Sequence, residues 1–233
     1  MELIRTTEQI VNAELMQRFI LYTDVSAHIK SANTDKGFKK DYLTSNQIKR
    51  VLANIDQSEL NGLRDYALIS LLTTTGLRVI EIHRADIQDC RTLGNGTVLY
   101  IQGKGKQDKT DFVKIQPEVE NALANYLKAR GSASKDEPLF TSHSNNSKGK
   151  RLSTRTISGI VKTRFRAVGL DSERLTAHSL RHTAVTLSLL NGNSLQETQQ
   201  FARHSNLNTT LIYSHNLEKQ NNHCGESIAN AIF

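Results

Sequence analysis

Cysteine is nearly absent from this sequence, which holds only Cys90 and Cys224. The two are too far apart to suggest a disulfide framework, and no Cys-x-x-Cys pair is available for zinc, so a reducing compartment is expected. Proline is as scarce, at two residues, and glycine amounts to thirteen, which excludes a low-complexity or disordered composition. Long apolar runs are missing as well. The opening residues, MELIRTTEQIVNAEL, lack the unbroken apolar core of a signal peptide, and no stretch approaches the roughly eighteen apolar residues of a membrane span. These absences lead to the expectation of a folded cytoplasmic protein with no membrane partner.

Positive charge is what the chain has in excess. Thirty Lys+Arg stand against 23 Asp+Glu, a formal charge of +7 and a pI near 9.4. That balance favours a polyanionic partner through attraction to phosphate and counterion release. A merely solvated lysine surface would give the same figure, so charge alone does not decide. The 233 residues allow one large domain, or one of roughly 180 residues with an appendage.

Apolar spacing at Ile10, Val11, Leu15, Phe19 and Tyr22 predicts a helix over 5–23, followed by a polar linker from Ser26 to Asp41. Thr44 and Gln47 form a capping box for a helix over roughly 44–55. Leu63, Ala67, Leu68, Leu71 and Leu72 give the next helix a buried face, which Thr73-Thr74-Thr75-Gly76 is expected to interrupt before a new helix near Leu77. Val98 to Gln102 and Asp111 to Ile115 are β-prone and flank Gly103-Lys104-Gly105-Lys106-Gln107-Asp108-Lys109, which predicts a hairpin with a basic tip. Helices are expected from Pro117 to Arg130, after a cap at Ser153, from Thr176 to Leu190, and after Ser194, with a surface loop over Ser142 to Lys150. The fold class is therefore mainly α with a small antiparallel β-sheet.

Several residue groups can carry chemistry. His178 and Arg181 stand at helical spacing that directs both to one side, where an imidazole and a planar guanidinium can grip a phosphate together. A solvated helical face explains the same tetrapeptide, and His182 at i,i+4 from His178 raises a metal pair that lacks further ligands. Arg78 follows Thr75-Gly76-Leu77 at a helix start, where unpaired backbone N–H groups favour phosphate. Glu81, one turn on, can hold Arg78 or a histidine, or form an ordinary surface ion pair with Arg78. His204 and Tyr213 flank Ser205 to Ile212, a turn-prone opening and a helix-compatible run that allow the two side chains to meet. Tyr66 and Tyr126 lie in apolar helical faces and read as packing, whereas Tyr213 precedes the polar Ser214-His215-Asn216.

Thr75-Gly-Leu-Arg78-x-x-Glu81, Gly103-Lys104-Gly105, His178-x-Leu-Arg181-His182-Thr183 and His204-Ser-x-x-x-Thr-Thr-x-x-Tyr213 occur in that order. Together they resemble the signature regions of the tyrosine recombinase family, the phage integrases and Xer-type enzymes, over roughly residues 40–220. The resemblance implies residues 1–40 as an N-terminal helix and linker, at most a remnant of a core-binding domain, 41–220 as the catalytic domain and 221–233 as a C-terminal tail.

It further implies Tyr213 as nucleophile, Arg78 and Arg181 as phosphate clamp, His178 and His204 as supporting imidazoles, Glu81 as a support and Lys104 as the hairpin lysine. Lys106 and Lys109 share the basic tip and are expected, with Lys104, to contact DNA. The implied activity is cleavage and rejoining of double-stranded DNA through a 3′-phosphotyrosyl bond, without metal or cofactor, in a homo- or hetero-tetramer assembled on DNA from monomers, in association with the nucleoid. Relaxation by a type IB topoisomerase and a catalytically silent DNA-binding regulator are the alternatives. The sequence departs from the family pattern at Arg203, where a glycine usually precedes the histidine.

Overall fold

The computed structural model describes residues 41–103, 105–131, 133–220 and 222–233. The helix expected over 5–23, the linker as far as residue 40, and Lys104 lie outside the described residues.

The first described helix, α1 (Ser45–Ala53), opens with the expected capping box: the Thr44 hydroxyl accepts from Gln47 N, and Gln47 Oε1 accepts from Thr44 N at 2.8 Å. Helix α2 (Leu60–Thr75) is buried on most of its circumference, Ala67 through Leu72 included, the pattern of a central core helix rather than a surface one. It continues through Thr75 and ends within the run Thr73-Thr74-Thr75-Gly76 that was expected to interrupt it. The hydroxyls of Thr73 and Thr74 donate to the carbonyls of Ile69 and Ser70 at 2.8 Å each, so these side chains satisfy themselves inside the helix instead of breaking it. The stop falls at Gly76, a left-handed C-cap with φ 59°, a backbone conformation that a residue with a Cβ adopts only with strain.

Helix α3 (Val79–Arg84) starts two residues later than the sequence suggests, with Arg78 as its N-cap. A 3-10 turn (Ile87–Asp89) leads into the antiparallel sheet β1 (Cys90–Leu93), β2 (Gly96–Ile101) and β3 (Asp111–Ile115), in the order β1-β2-β3. Strands β2 and β3 are the expected hairpin, in register Leu99 to Val113 and Tyr100 to Phe112. Leu99, Ile101, Val113 and Ile115 join the core. On the opposite face the rings of Tyr100 and Phe112 lie 5.8 Å apart, with the Arg91 guanidinium 4.6 Å from the Tyr100 ring centre.

Helices α4 (Pro117–Arg130), α5 (Thr154–Ala167), α6 (Ala177–Leu190), α7 (Leu195–Ala202), α8 (Asn208–Gln220) and α9 (Cys224–Ile232) complete the described chain. Pro117 fills the first turn of α4, Ser153 caps α5, and Ser194 with Glu197 forms the capping box of α7. Helices α4, α5 and α6 all pack on α2, and Tyr126, Phe165 and Leu180, one from each, are fully buried. Among the described residues no helix is long and apolar enough to cross a membrane.

Candidate active site

Arg181 lies on the buried face of α6 and is 3% exposed. One guanidinium nitrogen donates to the carbonyl of Gly76, at the end of α2, and the other to that of Ala202, at the end of α7. Both acceptors are helix-terminal carbonyls with no intrahelical partner, where a cation is also favoured by the helix dipole. Two helix ends thus aim one guanidinium. Burial first, then the nearby charges of Arg78 and Arg203, bring its pKa down to about 10, so it stays cationic at neutral pH.

Arg78 enters from the α2–α3 turn, 29% exposed at its side chain. Its Nη1 donates to Glu81 Oε1 at 3.0 Å while its backbone N–H donates to Glu81 Oε2 at 2.7 Å. Glu81 is 1% exposed, so this is a buried orienting carboxylate rather than the surface ion pair that the spacing also allowed. It accepts a third bond, from Arg203 Nη2 at 3.2 Å.

Tyr213 is 6% exposed, more deeply buried than its polar sequence neighbours suggest. Its phenolic oxygen lies 3.0 Å from Nδ1 of His182. The His204 ring stacks on the phenol at 6.2 Å and 18°. His178 meets His182 edge to face, 4.7 Å between ring centres. Burial pushes the phenol up to about 12, against the downward pull of Arg181 and Arg78. The same desolvation, aided by His178 and Arg181, takes His182 down to about 4, and burial with Arg181, Arg78 and Arg203 does the same to His204. At neutral pH the site therefore pairs a protonated phenol with neutral imidazoles between fixed guanidinium cations. Such a site attracts an anion.

Helix α8 also orients His204, whose Nδ1 is 2.9 Å from the hydroxyl of the fully buried Thr210. Thr210 and Tyr213 are one turn apart on α8, so imidazole and phenol share a mount.

The hairpin lysines divide. Lys106 is exposed at the tip, where its carbonyl and that of Gln107 accept from Gln102 Nε2 at 2.8 and 3.0 Å. Lys109 turns back: its ammonium lies 2.7 Å from Asp86 and also pairs with Asp89. It helps to anchor the base of the hairpin to the 3-10 turn.

Sequence reasoning singled out Arg78, Glu81, His178, Arg181, His204 and Tyr213, and α2, α3, α6, α7 and α8 bring them together. It did not assign a role to Thr210, nor to His182 beyond the metal pairing. For His182 the signal was available, since an imidazole at i,i+4 from His178 faces the same way.

A helical domain with a three-stranded antiparallel sheet, holding a buried tyrosine among histidines and arginines, has the fold of a tyrosine recombinase catalytic domain. Residues 41–220 match the phage integrase family, and the chain belongs to that family. It is 34% identical over 177 residues to the tyrosine recombinase XerC of Caldanaerobacter subterraneus subsp. tengcongensis, covering 75% of this chain and 47% of that protein. The XerC of Chlamydia caviae is 35% identical over 175 residues, with 74% and 54% covered. The chain thus spans about half the length of these curated relatives. Among solved structures, the XerA recombinase superposes with TM-score 0.62 at 28% identity, covering 77% of this chain and 64% of that one. The XerH site-specific recombinase, bound to palindromic difH substrate in a post-cleavage complex, gives 0.66 at 26% identity, with 80% and 53% covered.

Proposed function

We propose that residues 41–220 form the catalytic domain of a site-specific recombinase that cleaves and rejoins double-stranded DNA through a 3′-phosphotyrosyl bond to Tyr213. The observation that carries this reading is the Tyr213 phenol 3.0 Å from an imidazole and within the electrostatic reach of both Arg181 and Arg78. The XerH relative captured with its DNA after cleavage, and the recombinase names of the similar proteins, favour it over supercoil relaxation or a silent regulator.

A phosphodiester entering the site brings the negative charge that Arg78 and Arg181 are preorganised to receive. As attack builds more charge on the non-bridging oxygens, those donors strengthen their hold; losing one costs on the order of a hundredfold in rate. The phosphate also offsets the Arg181 charge that, after burial, lowers the pKa of His182, which makes His182 a better base for the phenolic proton. The phenolic oxygen then bonds phosphorus while the bond from phosphorus to the 5′-oxygen breaks. The leaving oxygen takes a proton, a role assigned to Lys104 by the family resemblance. The phosphotyrosyl link conserves the bond energy, so a second 5′-hydroxyl reverses the step without a nucleotide.

Recombination needs more than one protomer, and a homo- or hetero-tetramer on DNA belongs to this proposal. Helix α9 has no buried residue and exposes Ile228, Ile232 and Phe233, while Leu189, Leu190, Leu195 and Leu217 line a groove between α6, α7 and α8. The tail of a neighbouring copy is the proposed occupant of that groove.

Denaturing electrophoresis after incubation with a nicked suicide substrate tests the reaction class. A covalent protein–DNA adduct is expected from the wild type and none from Tyr213→Phe. An adduct that survives the substitution would overturn the assignment of the nucleophile, and no adduct from either protein would overturn the reaction.

A further inference from the structure

Arg203 is the one non-glycine residue with positive φ among the described residues, at φ 54° and ψ 45°. It is the C-cap of α7, where its N–H bonds Gln200 O at 3.0 Å and the following His204 N–H bonds Gln199 O at 3.1 Å. Such a left-handed cap suits glycine and strains any residue with a Cβ. A side chain held there against that strain invites the question of what it does, and its surroundings answer.

The Arg203 side chain is 10% exposed and lies across the elements that carry the proposed catalytic groups. Its Nη1 donates to Phe201 O at 3.0 Å and reaches Thr75 O at 3.4 Å. Its Nη2 donates to Glu81 Oε2 at 3.2 Å and reaches Gly76 O at 3.4 Å. Glu81 is the carboxylate that holds Arg78 through both its backbone and its guanidinium. Gly76 O is also an acceptor of Arg181. One side chain therefore shares an acceptor with each arm of the phosphate clamp, from the residue immediately before His204. Its Nε, by contrast, is buried with no hydrogen-bond partner. Desolvation of that kind is costly, and the geometry shows what is gained in return: a clasp between the α7–α8 turn and the α2–α3 turn.

We infer that Arg203 is a positioning residue: by fixing the Glu81 carboxylate and the Gly76 carbonyl it holds Arg78 and Arg181 in the orientation that meets the scissile phosphate. The inference rests on the catalytic reading above and adds to it a part played by this chain's departure from the family's glycine. The charge is felt on both sides of the clasp. After burial and Arg78, it contributes to the lowered pKa of Arg181; after burial, Arg181 and Arg78, it contributes to that of His204.

The test is single-turnover cleavage of a nicked suicide substrate at saturating DNA, with DNA affinity measured in parallel, for Arg203→Gly, Arg203→Lys, Glu81→Gln and the Arg203→Gly/Glu81→Gln double variant. Glycine relieves the backbone strain, so the first variant is expected to fold. It should cleave at least about tenfold more slowly while binding DNA within about threefold of wild type, since a small misplacement of a clamp costs rate more than binding. Lysine, which keeps a cation for Glu81 but not the fork, should recover part of the rate. The double variant should be no slower than the slower single, because both changes break one link. Cleavage by Arg203→Gly within twofold of wild type, or losses that multiply in the double variant, would overturn the inference. Should the glycine variant not fold, a lysine variant as fast as wild type has the same force, since lysine cannot make the forked contacts. A wild type that forms no adduct would remove the catalytic reading itself, an outcome distinct from a wild type and Arg203→Gly that react alike.

Discussion

The phenolic oxygen of Tyr213 lies 3.0 Å from Nδ1 of His182, the imidazole one turn along α6 from His178. A ring nitrogen of His182 is thus within reach of the proton to be removed. Replacing it with alanine should slow single-turnover cleavage on the order of a hundredfold, the scale of a lost general base. Raising the pH should narrow that deficit, because hydroxide then competes for the phenolic proton. Quench-flow rates between pH 7 and 10 measure both; a variant that keeps the wild-type rate and pH profile would assign the proton to another group.

Burial of neutral histidines gives the fold an acid-sensitive stability. His143, His182 and His204 are each held down at about 4 in the folded chain, with burial the first cause in every case, against about 6.5 when unfolded. The unfolded chain takes up protons first as pH falls, so the contribution is complete above about 6.5 and is lost progressively between 6.5 and 4. His182, 6% exposed, accounts for roughly 3 kcal/mol of that loss by itself. Thermal unfolding followed from pH 7.5 to 4 should show a falling midpoint, and His182→Gln should flatten the slope. An unchanged slope would show that His182 titrates normally.

Local chemistry was legible in the sequence wherever one segment carries its own signal. The capping boxes at Thr44 and Ser194, Pro117 in a first turn and the β-prone runs of β2 and β3 around a glycine-rich tip each reflect preferences expressed within a few residues. Strand β1 was not legible, because Cys90 to Leu93 are mostly exposed and show no alternation; β2 makes them a strand. The run Thr73 to Gly76 marked the end of α2 correctly, with Gly76 as the stop, while the threonine hydroxyls bond carbonyls of the helix itself. The site residues were visible through motif order, but their grouping depends on carbonyls at the ends of α2 and α7 aiming Arg181, which no local pattern encodes. Arg203 stood out as a departure, and its contact with Glu81 belongs to tertiary structure alone.

Glu81 is the shared counter-ion of the site. Its carboxylate holds Arg78 and Arg203 and is almost fully buried. Removing it by Glu81→Ala leaves guanidiniums facing one another with no anion between them, which should cost about 3 kcal/mol of stability. Urea unfolding measures that loss. Added inorganic phosphate should restore part of it by supplying negative charge to the same cations, and a variant as stable as wild type would mean that water already satisfies those guanidiniums.

The C-terminal helix should be dispensable to the isolated fold. No residue of α9 is buried, so deleting everything after Glu218 should move the unfolding midpoint little, within the range of surface changes of about 0.5 kcal/mol. If the tail docks on a neighbouring copy, the same deletion should weaken assembly on DNA carrying two sites while leaving single-site binding intact. Gel-shift titrations on one-site and two-site DNA separate these. Two-site assembly that survives the deletion would mean that the tail plays no part between protomers.

Two hairpin lysines should respond in opposite ways. Lys106 is exposed at the tip, whereas the ammonium of Lys109 is committed to Asp86 and Asp89. Against the upward push of burial, Lys109 and Arg151 hold the Asp86 carboxyl below its usual range, a sign that the pair is engaged. Lys106→Ala should therefore reduce the slope of log affinity for DNA against log salt by about 1, the signature of one lost phosphate contact, with stability unchanged. Lys109→Ala should leave that slope alone and lower stability by about 1 to 2 kcal/mol, since the buried Asp89 carboxylate loses this ammonium while Asp86 keeps Arg151. Salt titrations of binding and urea unfolding, run on both variants, measure the contrast. A shallower salt dependence in Lys109→Ala would mean that the ion pair opens on DNA and that Lys109 reaches a phosphate after all.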